Sequence, residues 1–126
     1  MFKTELIVSP MIGTRSTFRL KEDLVYKINE DFEITALKGF VYDGASIPAI
    51  LTNLLPRFGY KYDRASCLHD WLYATSDDTK LSRKVCDEIF YQAMRDDKVS
   101  WILAQTMFWA VRIFGKRYYG GSVVVE

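Results

Sequence analysis

Residues 64–74, Arg64-Ala65-Ser66-Cys67-Leu68-His69-Asp70-Trp71-Leu72-Tyr73-Ala74, decide how this chain is read. Ala65, Leu68 and Leu72 recur three and four positions apart, the period of one helix face. The same period returns in residues 81–95 and 100–117, so three helices are expected in this half of the chain. Polar punctuation separates them. Residues 75–79, Thr-Ser-Asp-Asp-Thr, supply a turn and N-cap candidates, Asp96-Asp97-Lys98 make the next turn, and Gly120-Gly121 end the last helix.

Working back from residue 64, the punctuation thickens and the period changes. Gly44, Pro48, Pro56 and Gly59 break up residues 41–62, a loop in which Pro48 suits the first turn of a short helix running to Leu55. Earlier still, residues 5–8, 17–20, 24–28 and 32–36 are short runs rich in Ile, Val, Phe and Tyr between turn residues. Alternation is clearest at Phe32, Ile34 and Ala36, and turn-bounded runs of this kind favour an antiparallel meander. Residues 122–125 are apolar enough to return as a strand. The expected fold is α+β, a small antiparallel N-terminal β-sheet packed against three C-terminal helices. It forms a single domain over residues 1–126, with strands in 1–40, the loop in 41–62, helices in 63–117 and a tail in 118–126.

Composition narrows the function classes. The 126 residues are 49% hydrophobic, 15% aromatic and 26% charged, ample for a packed core and unlike a disordered chain. Seventeen Lys and Arg against 16 Asp and Glu leave a net charge of +1, so no nucleic-acid partner is expected. Cys67 and Cys86 allow one bridge or none, and two reduced thiols inside a cell are the simpler reading. The start lacks the basic and apolar regions of a signal peptide, and the longest apolar stretch, residues 101–114, falls short of the ~20 needed to span a bilayer. No transmembrane segment is expected.

The one histidine lies within the deciding stretch. His69 and Tyr73 share a helix face, with Asp70 beside Tyr73. An imidazole titrates near neutral pH and acts as a general base toward water, whereas a neighbouring carboxylate suits a hard cation. Asp87, on the second helix, would orient the imidazole if the two helices pack antiparallel. Asp43 and Gly44, in Tyr42-Asp43-Gly44-Ala45-Ser46-Ile47-Pro48, add a second carboxylate and a backbone free to approach a ligand. Plainer readings stand beside these. His69 is equally a structural histidine, Asp43-Gly44 is a turn, and Asp87 pairs with Arg64 or Arg83. Zinc is not expected, because Cys67 and His69 point to different sides of a helix and Cys86 leaves the ligand count short.

The stripe Trp101, Met107, Phe108, Trp109, Ile113 and Phe114 reads mainly as core, since a small sheet needs a covering helix. Its aromatic and basic tail, with Trp109, Tyr118 and Tyr119, reads alternatively as an interaction surface for lipid or a partner protein.

These residues carry a resemblance at two distances. The loop Tyr42 to Pro48 and the helix His69-Asp70-Trp71-Leu72-Tyr73 resemble a family of small phage and prophage proteins classed as a domain of unknown function. Ser82-Arg83-Lys84, Asp87 with Ile89-Phe90, and Ala110-Val111-Arg112 with Phe114-Gly115 extend that match over most of the chain beyond residue 15. It implies a phage or prophage origin and, with it, a host-cytoplasm or virion location and phage or host proteins as partners. More distantly, Asp43-Gly44, His69-Asp70 with Tyr73, and Asp87 resemble the site of the phospholipase A2 superfamily. By that resemblance His69, Asp87 and Tyr73 are catalytic, His69 being the base and Tyr73 with Asp87 steadying it. Asp70, Asp43 and a carbonyl near Gly44 hold calcium, and the substrate is a lipid or cell-envelope ester. The alternatives are a non-enzymatic phage accessory or virion component whose polar cluster is structural, and a host-protein-binding inhibitor.

Overall fold

The structure, a computed structural model, describes residues 1–11, 17–43 and 61–120, without the side chains of Asp43, Arg117 and Tyr118. The expected helix over residues 48–55, the expected strand over 122–125 and Gly44 lie outside the described residues. Among the described residues five strands precede the helices: β1 (Val8–Pro10), β2 (Thr17–Leu20), β3 (Leu24–Lys27), β4 (Glu33–Ala36) and β5 (Val41–Asp43). The helices are α1 (Asp63–Ala74), the single turn α2 (Ser76–Thr79), α3 (Arg83–Asp96) and α4 (Trp101–Phe114), which runs into a 3-10 turn at Gly115–Tyr118. The chain is α+β, as its sequence predicts, with the single turn α2 added between the first two long helices.

The strands form two small antiparallel sheets rather than the one expected. β3 and β4 make a hairpin in the register Leu24↔Ala36 and Tyr26↔Ile34. The Asn29 side chain closes that hairpin by accepting from the backbone of Asp31 and Phe32 at 2.8 and 3.1 Å, the reason asparagine favours turns. Beyond the hairpin, β5 returns to β2, giving the order β1-β2-β5 with Phe18 opposite Tyr42. Gly39, at φ 93°, makes the return; its amide bonds Leu20 O at 2.7 Å, and Leu20 N bonds Phe40 O at 2.8 Å.

Alternation selects the buried face. Phe18 and Leu20 on β2 and Leu24 and Tyr26 on β3 are buried between half-exposed neighbours. Phe32, expected to begin the fourth strand, instead sits in the hairpin loop and is exposed. The first strand lies at Val8–Pro10 rather than 5–8, because Pro10 pairs with Phe18 and an edge strand tolerates proline.

α1 and α3 pack antiparallel. The Arg64 guanidinium bonds both Asp97 oxygens at 2.5 and 2.9 Å near one end of the pair, and His69 meets Asp87 near the other. Leu68 and Leu72 of α1, Phe90 and Met94 of α3, and Met107 and Val111 of α4 join the sheet residues in one core. Each of the later helices starts on a serine cap. Ser82 accepts from Val85 N and Ser100 from Leu103 N, at 3.2 and 3.3 Å. No helix among the described residues is long and apolar enough to cross a membrane.

The reading of the last helix is corrected too. α4 does not bury its whole aromatic stripe: Met107 is fully buried, but Trp101, Trp109, Ile113 and Phe114 are exposed. α4 lies at the edge of the bundle, packed on α3 through Ala104, Met107, Ala110 and Val111, so one face suffices to cover the core.

Candidate functional site

Three helices converge on one carboxylate. α1 presents His69 and Tyr73, one turn apart, with ring centroids 4.1 Å apart, and the other flank of the imidazole rests on Phe90 at 4.6 Å. Asp87, from the first turns of α3, is 0% exposed. Its Oδ1 lies 2.7 Å from His69 Nε2 and accepts the Tyr73 hydroxyl at 2.5 Å. Its Oδ2 accepts from the Arg112 guanidinium of α4 at 2.8 Å, and the Arg83 guanidinium stands 3.7 Å away. Arg83 also donates to the carbonyls of Val111 and Arg112 at 3.0 and 3.1 Å, tying the last turn of α4 to the start of α3; Val111 O accepts from Gly115 N as well.

The electrostatics fix the protonation states. Burial pushes the His69 pKa below its ordinary 6.5, against the opposing pull of Asp87. Burial alone would raise the Asp87 pKa; hydrogen bonds from His69, Tyr73 and Arg112 outweigh it, and the net shift is downward. Tyr73 is pushed above the usual phenol range by burial and by its bond to Asp87. Asp87 is therefore ionised and acceptor-only, and a neutral His69 facing it carries its proton on Nε2. That leaves Nδ1 unprotonated, the form a general base requires.

Both shifts have the same sign for stability. A histidine whose folded pKa lies below the unfolded one stabilises the fold fully above pH 6.5, and the contribution is lost as pH falls toward the folded value. Asp87 adds stability present above its ordinary 3.8 and lost at lower pH. Stability should thus stay level from neutral pH down to about 6.5 and fall below it. Urea melts across pH 4 to 8 check this, and His69→Gln should flatten the first part of the fall.

A glycine leaves room for the cluster. A Cβ at Gly115 would stand 3.0 Å from the Tyr73 hydroxyl and 3.4 Å from its ring. Tyr73 is held by Asp87 and by the Tyr119 ring, edge-on at 5.4 Å, so it has little room to give. Gly115→Ala should cost about 1–3 kcal/mol in a chemical melt.

The sequence-predicted residues divide into those brought together and those placed elsewhere. His69, Tyr73 and Asp87 meet as expected. Asp70 is half-buried on the neighbouring flank of α1, where it and Cys67 face the buried Tyr42 of β5; burial chiefly, then these two groups, push the Tyr42 hydroxyl well above its usual range. Strand β5 ends at Asp43, one residue beyond Tyr42. The Asp43 side chain and Gly44 lie outside the described residues, and among the described residues no group of three His, Cys, Asp or Glu is placed to hold a metal. Cys67 and Cys86 are free thiols, not a disulfide.

Of the expected interaction surface, Trp109 is exposed. Tyr119 is not: it is half-buried against Tyr73, and its hydroxyl donates to Leu81 O. Sequence reasoning missed the role of Arg112, which enters it only within the Ala110-Val111-Arg112 part of the family resemblance. A lone cation among apolar helix residues was the available sign of a buried anion partner. Asp87 pairs with Arg83 and Arg112, whereas Arg64, the other partner considered, bonds Asp97 and Thr4 O.

No curated protein sequence and no solved structure matches the chain. One sequence-family model does, over residues 18–111, a span that holds the sheet strands from β2 onward, His69, Tyr73, Asp87 and Arg83; by that match the chain belongs to the family described as "Protein of unknown function (DUF1353)".

Proposed function

We propose that this chain is a phage- or prophage-encoded hydrolase acting on lipid or cell-envelope esters, working in the host cytoplasm or from the virion. The observation that carries the reading is the Asp87-bound imidazole: Nε2 of His69 is held at 2.7 Å by a carboxylate that Tyr73 also binds. A carboxylate on one ring nitrogen raises the basicity of the other and stabilises the imidazolium that forms when water gives up its proton. His69 takes the proton from water, Asp87 holds the ring in its tautomer, and Tyr73 fixes the carboxylate. Calcium belongs to the proposal as well: Asp70, Asp43 and the Gly44 carbonyl would hold it, and it would polarise the ester carbonyl. The influence of Asp70 on Tyr42, one residue before Asp43, supports that reading.

The test is release of fatty acid from phospholipid vesicles with millimolar calcium. Wild type should hydrolyse, and His69→Gln should lose about 100-fold or more while staying folded. An inactive wild type overturns the reading. A second reading rests on the complete burial of Asp87 and the occupation of both its oxygens. Under it the cluster is a staple joining α1, α3 and α4 in a non-enzymatic phage component, and variants change stability alone.

A further inference from the structure

α4 is apolar on two faces, and among the described residues only one of them is buried. Opposite the buried Ala104, Met107 and Val111, it carries Ile102 at 71%, Trp109 at 57% and Ile113 at 66% exposure. Their spacing of seven and four residues puts them in a single stripe about 16 Å long. Trp101 and Phe114 are also exposed, on the two flanks of the helix away from this line. A row of this size in water is costly for a protein that leaves it bare.

Charge says what covers it. The chain's acidic residues stop at Asp97 and resume only at Glu126, while Lys98, Arg112, Lys116 and Arg117 fall between. Arg112 is committed to Asp87, but Lys98 and Lys116 are exposed at the two ends of α4. Two copies meeting through this stripe would bring lysines against lysines across the symmetry axis, with no carboxylate on the helix to offset them. An anionic surface gains from the same lysines, and tryptophan and isoleucine on a helix flanked by cations suit the boundary between headgroups and acyl chains.

We propose that the outer face of α4 docks on an anionic lipid bilayer, with the helix lying in the interface plane and Ile102, Trp109 and Ile113 entering the acyl boundary. This deepens the hydrolase reading and rests on it for the purpose of the surface. Arg112 of the same helix holds Asp87, so a docked α4 lies between the lipid and the His69 cluster, with the cluster about 10 Å, one helix diameter, behind the docking face.

Binding is measured apart from hydrolysis, by cosedimentation and tryptophan emission with phosphatidylcholine vesicles containing or lacking phosphatidylglycerol. Wild type and His69→Gln should both bind the anionic vesicles, with a blue-shifted emission, and added salt should weaken the binding. The double variant Trp109→Ser/Ile113→Ser should melt as wild type does and bind about tenfold more weakly or worse. The proposal is overturned if wild type stays in solution with both vesicles, or if the double variant binds equally well. It is also overturned if sedimentation velocity finds a dimer that the double variant dissociates, which would assign the stripe to a second copy. Vesicle binding without fatty-acid release would leave the docking surface standing and remove the hydrolase. Cleavage of a soluble short-chain ester without vesicle binding would do the reverse.

Discussion

Asp87→Asn should destabilise the protein by about 3–5 kcal/mol, the cost of breaking a buried ion pair by removing one partner. Oδ1 accepts from His69 and Tyr73, and Oδ2 accepts from Arg112 with Arg83 close behind. An amide in that place keeps one acceptor and presents two donors. Whichever way it turns, either the guanidinium or the imidazole and phenol face an N–H, and the arginine charge is left without its counter-ion. A domain of this size has a total stability of about 5–15 kcal/mol, so the loss should be evident as an early urea midpoint. Adding Arg112→Met to Asp87→Asn should recover part of it, since the second change removes the stranded charge. A single variant within about 1 kcal/mol of wild type would mean that the cluster is not the joint between α1, α3 and α4.

His69→Gln separates folding from chemistry. The glutamine amide reaches toward Asp87 with a donor of its own, so much of the hydrogen bond survives and the stability loss should stay at about 1–3 kcal/mol. What disappears is the second ring nitrogen. If His69 is the base, ester hydrolysis should fall about 100- to 10,000-fold at neutral pH, with circular dichroism and binding to anionic vesicles unchanged. Equal rates in the two proteins would place the chemistry elsewhere.

The helices were legible because their signal is local. Three periodic runs locate α1, α3 and α4 without knowledge of their neighbours, whereas the N-cap candidates read at residues 75–79 are not the caps of α3 and α4, which start on Ser82 and Ser100. The antiparallel meeting of His69 with Asp87 followed from the short turn between the first two long helices and the i, i+4 spacing of His69 and Tyr73. The sheets were less legible. That β5 returns to β2 around the β3–β4 hairpin depends on pairing between distant segments, which strand propensity does not encode. Exposure on α4 was misread for a related reason: an apolar residue on a helix states a preference for burial, and whether a second layer exists to satisfy it is a property of the whole fold. Arg112 was invisible as a site residue because its partner lies 25 positions away on another helix.

The central claim is that a buried carboxylate holds a neutral imidazole with its proton on Nε2 and its Nδ1 available as base. A long-range proton–nitrogen correlation spectrum of the protein labelled at histidine reads this directly, since His69 is the sole histidine. The account predicts a neutral Nε2–H tautomer at pH 7, with titration beginning only below the ordinary histidine value of 6.5. An imidazolium at pH 7, or a proton on Nδ1 with Nε2 bare toward Asp87, would contradict it.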